Sequence, residues 1–438
     1  MRAGLASATA PHPFRRWLKP GETWEAPAVF TAPYAAKDDP HAALDETIAT
    51  YVRRHQGARV NEIARKPVFV YNTWHPFRTK LDEKLVLSVA KASAECGVEE
   101  FVIDDGWQMR TGDWRVDPKK FPHGLKTVFD EIKALGMKPG LWLSLATAKR
   151  DTPVLKDHPD WSVRDAKGDV VSLHDANPSI RTLCMGTDWR DEIRETILAM
   201  VRDFGLAYVK LDLAIATSAY VYDPVRSGCH ATNHPYHRNR AESFDVIYAR
   251  CLELFDELHA AAPDLYIDCT FETAGKMHLM DYGLARHADG NCLSNVEEDA
   301  PLGSLRVRNL AWRRALALPP ASLVIGNLRM DAPNHLLGFK SLVGTLPILL
   351  GDPRKLTSEE RAEYKAWASW LKDVEAHHGY MAFRQDLPGF GEPAEGAWDG
   401  FARINSETKS GGLVGVSRQH AVERTRQVAV TGLDSSAI

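Results

Sequence analysis

An excess of one charge is the first thing this chain lacks. Lysine and arginine number 54 against 58 aspartates and glutamates, a formal net charge of −4 over 438 residues. There is no basic excess to attract nucleic acid or an anionic membrane surface, so the expected partners are neutral small molecules. Cysteine is sparse as well. The six residues (Cys96, Cys184, Cys229, Cys251, Cys269 and Cys292) are scattered and do not make a disulfide framework, which suits a reducing compartment. No apolar run approaches membrane-spanning length, and the opening MRAGLASATAPHPFRRW carries no apolar core of signal-peptide size. The cytoplasm is the expected location. The chain also has no internal repeat, low-complexity tract, glycine-rich phosphate turn, nicotinamide fingerprint or Ser/His/Asp order.

What is present is alternation. From about residue 66, short β-branched or aromatic runs alternate with amphipathic stretches of helical length, as in a parallel sheet built from βα units. The strand candidates are 67–74, 100–105, 138–145, 208–213, 265–270, a weak one at 290–295, 322–328 and 346–352. Eight strands, each followed by a helical pattern, predict a (β/α)8 barrel, with an open doubly wound sheet as the alternative. The expected division is 1–65 as a β remnant plus a linker helix, 66–380 as the barrel, and 381–438 as a small antiparallel β region with a Gly-Gly turn. In the first part, LKPGETWEAPAVFTAPY reads as two short strand-like runs.

In a barrel the polar residues at the carboxyl ends of the strands share one face. Here they are Trp74 and His75 after the first strand, then Asp104, Asp105 and Trp107 after the second. Trp142 follows in the third strand, Lys210 and Asp212 in the fourth, Asp268 and Cys269 in the fifth, and an acidic cluster, ADGNCLSNVEEDA, lies around the sixth. Carboxylates with tryptophans suit sugar chemistry: an indole covers a pyranose face, and a carboxylate pair serves as nucleophile and acid. Asp212 is the natural nucleophile, because Lys210, two residues away on the same side of the strand, favours its ionised form. Each feature also has a plain structural explanation: Lys-x-Asp as an ion pair, DDGW as a strand-ending turn, Trp142 as core. Cys229, His230, His234 and His237 in CHATNHPYH offer irregular metal-ligand spacing with no second ligand pair. That loop is therefore read as a polar pocket wall whose histidines touch substrate, and neither a metal nor a cofactor is expected.

At these residues the sequence resembles the α-galactosidases of glycoside hydrolase family 36, in the clan of melibiases and raffinose synthases. The blocks RRHQ, VYNTWHPF, FVIDDGWQ, GDWRVDPKKFPHGLK, ALGMKPGLWLS, HPDWSVRD and YVKLDLA occur in the family's order. The resemblance implies a retaining exo-α-glycosidase working without a cofactor. Asp212 would be the nucleophile, and Lys210, Asp104 and Asp105 would bind sugar hydroxyls. Trp107 would line the pocket, with Trp74, Trp142 and Cys269 beside it. A galactosyl transferase like raffinose synthase and a non-catalytic sugar-binding barrel remain as alternatives, and a homo-oligomer fits the resemblance. The chain departs from the family at Leu211, where the family has tryptophan, in CTFETAGK, where Cys269 and Lys276 correspond, and at Asn295, which meets the family's acid position. In addition, only the last strands of the family's large N-terminal sandwich are represented. For the acid, Glu297 ranks first on alignment of SNVEEDA with one inserted residue. Asp289 in RHAD ranks second and Glu298 third.

Overall fold

Runs such as KPGLWLS and YVKLDLAI supply a side chain to each face of the strand, and burial of both faces requires a second layer on each side. The computed structural model describes residues 18–26, 29–35, 43–56, 69–173, 178–215, 228–272, 282–292, 298–314 and 318–434. Within them, eight strands form one parallel sheet: β1 (Val70–Asn72), β2 (Glu100–Ile103), β3 (Lys138–Ser144), β4 (Tyr208–Ile215), β5 (Tyr266–Glu272), β6 (Asn291–Cys292), β7 (Leu323–Arg329) and β8 (Leu346–Leu350). The spatial order is β6-β7-β8-β1-β2-β3-β4-β5. A parallel bridge from Asp268 to Gly290 joins β5 to the start of β6 and brings the two ends of the sheet together.

A helix follows each strand: α1 (Glu83–Glu95), α2 (Gly124–Ala134), α3 (Trp189–Phe204), α4 (Arg240–Ala261), α5 (Tyr282–His287), α6 (Leu302–Arg314), α7 (His335–Lys340) and α8 (Ser358–His378). Their ends are chemically marked. Asp82 caps α1 by accepting from the Leu85 N–H, Asn239 caps α4, and Thr357 with Glu360 makes a capping box on α8. The expected (β/α)8 barrel is therefore the fold, and the open sheet is not.

The pleat divides the strand residues into two layers. Val209, Leu211, Leu141, Leu143, Phe101 and Ile103 point outward into the large core beneath the helices. Val70, Val102, Tyr208, Tyr266, Val324, Leu346, Ile348 and Leu350 fill the lumen. The Tyr208 and Tyr266 rings stack there, 4.7 Å apart and 5° from parallel. Gly140 makes room for them: a Cβ at this position would lie 2.9 Å from Val102 Cγ2 and 3.0 Å from Tyr208 Cβ.

After the barrel, β9 (Gln385–Asp386), β10 (Ala397–Ile404) and β11 (Gly412–Gln419) make an antiparallel sheet, with Gly411 and Gly412 at the turn before β11. The strand-like reading of the N-terminal run is corrected, since 18–26 and 29–35 form no strand among the described residues. Short runs of this kind need a neighbouring edge to pair with. No helix among the described residues is long and apolar enough to cross a membrane.

The C-terminal sheet is fastened to the barrel by a buried ion pair. Arg308 on α6 donates to Asp399 on β10 through Nε (2.8 Å) and Nη2 (3.0 Å), and also to Gln419 and Ser341. Removing one partner strands the other charge, so Arg308→Met should destabilise the chain by about 3–5 kcal/mol. The double variant Arg308→Met/Asp399→Leu should recover much of that loss. Urea unfolding of the three proteins tests this, and equal midpoints would refute it.

Candidate active site

At the carboxyl end of β4 the ladder with β5 slips: Leu211 pairs with Cys269 and Ala214 with Phe271, so β4 carries one extra residue. Leu213 takes the left-handed backbone conformation, φ +54°, which is costly for a leucine. A bulge of this kind re-aims the adjacent side chain. The side chain here is Asp212. Its Oδ1 accepts the Leu213 N–H at 2.9 Å and its Oδ2 accepts the Trp142 indole N–H at 3.1 Å. Trp142 is itself held by neighbours, with the Trp114 ring edge-on at 6.1 Å and its backbone carbonyl accepting the Trp107 indole N–H at 2.9 Å.

Beside Asp212 lies an ion pair in the lumen. Lys210 Nζ donates to Asp104 Oδ2 at 2.8 Å, the same oxygen accepts from Asn72 Nδ2 at 2.6 Å, and Oδ1 accepts the Asp105 N–H at 2.9 Å. A carboxylate has about four acceptor positions, so about one remains on Asp104 for a ligand hydroxyl. Burial opposes the Lys210 charge, but Asp104, with Asp212 adding, outweighs it and holds the ammonium above the ordinary lysine range. Asp105 accepts from Gln108 Nε2 at 2.6 Å. Burial pushes its carboxyl up against that hydrogen bond, helped by Asp104 and Asp212.

Asp268 completes the group. It faces Lys210 across the β4–β5 register, and its Oδ2 accepts the Tyr208 hydroxyl at 2.9 Å. Its buried Oδ1 has no hydrogen-bond partner among the described residues. Burial, only partly offset by Lys210 and Tyr208, raises it to about 6.

Asp104, Asp105, Trp142, Lys210 and Asp212 are thus brought together. Trp74 stands in the turn after β1, half-buried against the lumen cluster. Other expected residues fall elsewhere. Trp107 is fully buried in the outer core, where it steadies β3 and does not line a pocket. Cys269 has the wrong parity: it points into the helix-facing core, whereas Cys292 packs on the lumen cluster. Leu211 shares that outer layer, so the family's missing tryptophan is a change in packing.

Asp289 is corrected as an acid. It precedes β6, at the amino end of the strand, and its Oδ2 accepts from the Ile267 N–H at 2.9 Å and lies 2.9 Å from His259 Nε2. Glu298 pairs with Arg306 at 2.6 Å. Glu297, Asn295 and Lys276 lie outside the described residues. The polar-wall reading of CHATNHPYH is corrected too, because His234 and His237 are buried against Cys184 and Cys229. Sequence reading also passed over Asn72 and Gln108. Asn72 shares the lumen parity of Val70, a signal that pleat counting would have caught.

A parallel eight-stranded barrel with carboxylates, a lysine and an indole converging at the strand ends defines the class, and the comparisons narrow it. Residues 23–325 match the Melibiase family, well over half of the chain. The chain belongs to the Melibiase family. Among curated relatives it is similar to an α-galactosidase of Escherichia coli, 34% identical over 115 residues, covering 25% of this chain and 16% of that protein. It is also similar to α-galactosidase AgaA of Geobacillus stearothermophilus, 25% identical over 225 residues, covering 48% and 29% respectively. The AgaA crystal structure aligns with a TM-score of 0.70 at 20% identity, covering 88% of this chain and 52% of that one. The galactosidase domain of AgaSK aligns at 0.71 and 18% identity, covering 90% and 52%. The chain therefore spans about half the length of the solved structures it resembles.

The Asp268 carboxyl gives a pH signature. Its folded-state value is raised, so its stabilising contribution is present in acid and is lost as pH rises through about 6. The gap from about 6 to the ordinary carboxylate range corresponds to about 3 kcal/mol. Asp268→Asn should remove that loss, leaving a flatter stability curve than wild type between about pH 4 and pH 8. Urea midpoints across that range test it, and parallel curves would refute it.

Proposed function

We propose that this chain is a retaining exo-acting α-galactosidase. The observation that carries the reading is the Asp212 carboxylate, aimed by a bulge, held by the Leu213 N–H and the Trp142 indole, and set beside the Lys210–Asp104 pair. Membership in the Melibiase family supports it. Variants of the Geobacillus enzyme solved with raffinose and with stachyose support a carbohydrate as the ligand class.

In this reading Asp212 attacks the anomeric carbon of a terminal α-galactoside while an acid from the segment after β6 protonates the departing oxygen. The covalent glycosyl-aspartate is then opened by water, with the same acid acting as base. Two N–H donors fix the direction in which Asp212 attacks. Asp104 and Asp105 accept from sugar hydroxyls, Lys210 donates to one, and Trp74 offers its ring. Glu297 is the proposed acid.

The catalytic unit is taken as 66–380, preceded by 1–65 and followed by the sheet region 381–438. Cytoplasmic placement draws support from the cysteines, none of which is paired in a disulfide among the described residues.

Asp212→Ala assayed with an aryl α-galactoside should lose at least about a thousandfold in kcat. Turnover equal to wild type would end the assignment. Glu297→Ala should spare activated aryl galactosides far more than raffinose-type substrates, and azide should restore turnover with an azide product of retained configuration. If neither signature appears, another carboxyl is the acid.

A further inference from the structure

We propose that Cys184, Cys229, His234 and His237 form a structural zinc site that joins the loop after β3 to the loop after β4. The inference rests on geometry alone and is independent of the glycosidase reading. All four side chains are buried, and one ligand atom from each lies within 4.8 Å of the other three.

The individual spacings suit a metal. His237 Nε2 is 3.3 Å from Cys184 Sγ, His234 Nδ1 is 3.6 Å from Cys229 Sγ, and the two imidazole nitrogens are 3.1 Å apart. In tetrahedral zinc, with Zn–S near 2.3 Å and Zn–N near 2.0–2.1 Å, neighbouring ligand atoms stand about 3.3–3.8 Å apart. Three of the ligand-atom separations thus lie within a few tenths of an ångström of a tetrahedral edge, and all fall within 4.8 Å.

The surroundings prepare the ligands. His234 Nε2 lies 2.7 Å from the Asp160 carbonyl oxygen. Donation there fixes the tautomer that leaves the Nδ1 lone pair pointing into the cluster, the usual outer-shell device for a metal-bound histidine. The Arg164 backbone N–H points at Cys229 Sγ from 3.5 Å, where it would stabilise a thiolate. Cys184 and Cys229 have their backbone N–H groups engaged by the Trp161 carbonyl and the Ser243 hydroxyl, so the positions are set before any ligand arrives. Two thiolates and two imidazoles in a closed four-ligand arrangement select zinc and leave no position for substrate. The site is therefore structural.

The full-length chain, expressed in zinc-supplemented medium and dialysed, should carry about one equivalent of zinc by elemental analysis. Apo protein titrated with cobalt(II) should show the intense visible bands of a tetrahedral site together with thiolate-to-cobalt charge transfer. Stripping the zinc should lower the melting temperature, and readdition should restore it. Cys184→Ser and His237→Ala should each retain less than about a tenth of the wild-type zinc, while Cys96→Ala, at a buried cysteine outside the cluster, should keep it. Should the ligand variants fail to fold, the cobalt spectrum of the unmutated chain decides. No retained zinc together with no tetrahedral cobalt spectrum would overturn the proposal, as would a Cys184–Cys229 disulfide found by mass spectrometry in protein prepared without air.

Discussion

An ammonium group inside a barrel floored by valine, leucine and stacked tyrosine rings must be matched from within the barrel, and much of the local architecture follows from that requirement. Lys210 is charged because Asp104 meets it at 2.8 Å. Asp104 is fixed because Asn72 and the Asp105 N–H take up two more of its acceptor directions. Asp268, on the other flank, is pushed toward its neutral form by burial, with Lys210 pulling the other way. Asp268, raised to about 6 by burial, is the titrating member of the group. The lumen is a place where charge is counted residue by residue, since desolvation there costs several kcal/mol per unmatched ion.

The same counting explains which parts of the molecule could be read in advance. The eight strands were legible because each is a short apolar run followed by a helical pattern, and the sixth was weak because polar residues interrupt GNCLSN. Asp104, Lys210 and Asp212 stood out because ionisable side chains in apolar runs are rare unless matched. Trp107 and Cys269 were misplaced for one shared reason: both lie near the carboxyl end of a strand, but the pleat or the turn directs them to the helix layer. Position along a strand says how high a residue sits, and parity says which side it faces. Asp289 was misplaced for the converse reason. A motif match could not tell the amino end of the strand from its carboxyl end.

The cysteine and histidine cluster was illegible for a topological reason. Three of its members sit within nine residues of one another in CHATNHPYH, but the fourth, Cys184, arrives from the loop of a different βα unit. Within that local run His230 stood as a candidate equal to its neighbours. Folding discards it and recruits a partner that no spacing rule contains. Contacts between successive βα loops are set by the closure of the barrel, which a linear pattern does not encode.

The Arg308–Asp399 clamp bears on how accurately the loop before α6 is held. That loop carries Glu298 and Asp299, and α6, only 13 residues long, begins just beyond it. A short helix fixed at one end alone would rock, and its free end would sweep through the largest arc. Because the buried pair grips α6 near its middle and ties it to β10, displacement of the helix is resisted by the stiffness of the C-terminal sheet. The C-terminal sheet thereby acts as ballast, setting the aim of groups it never touches.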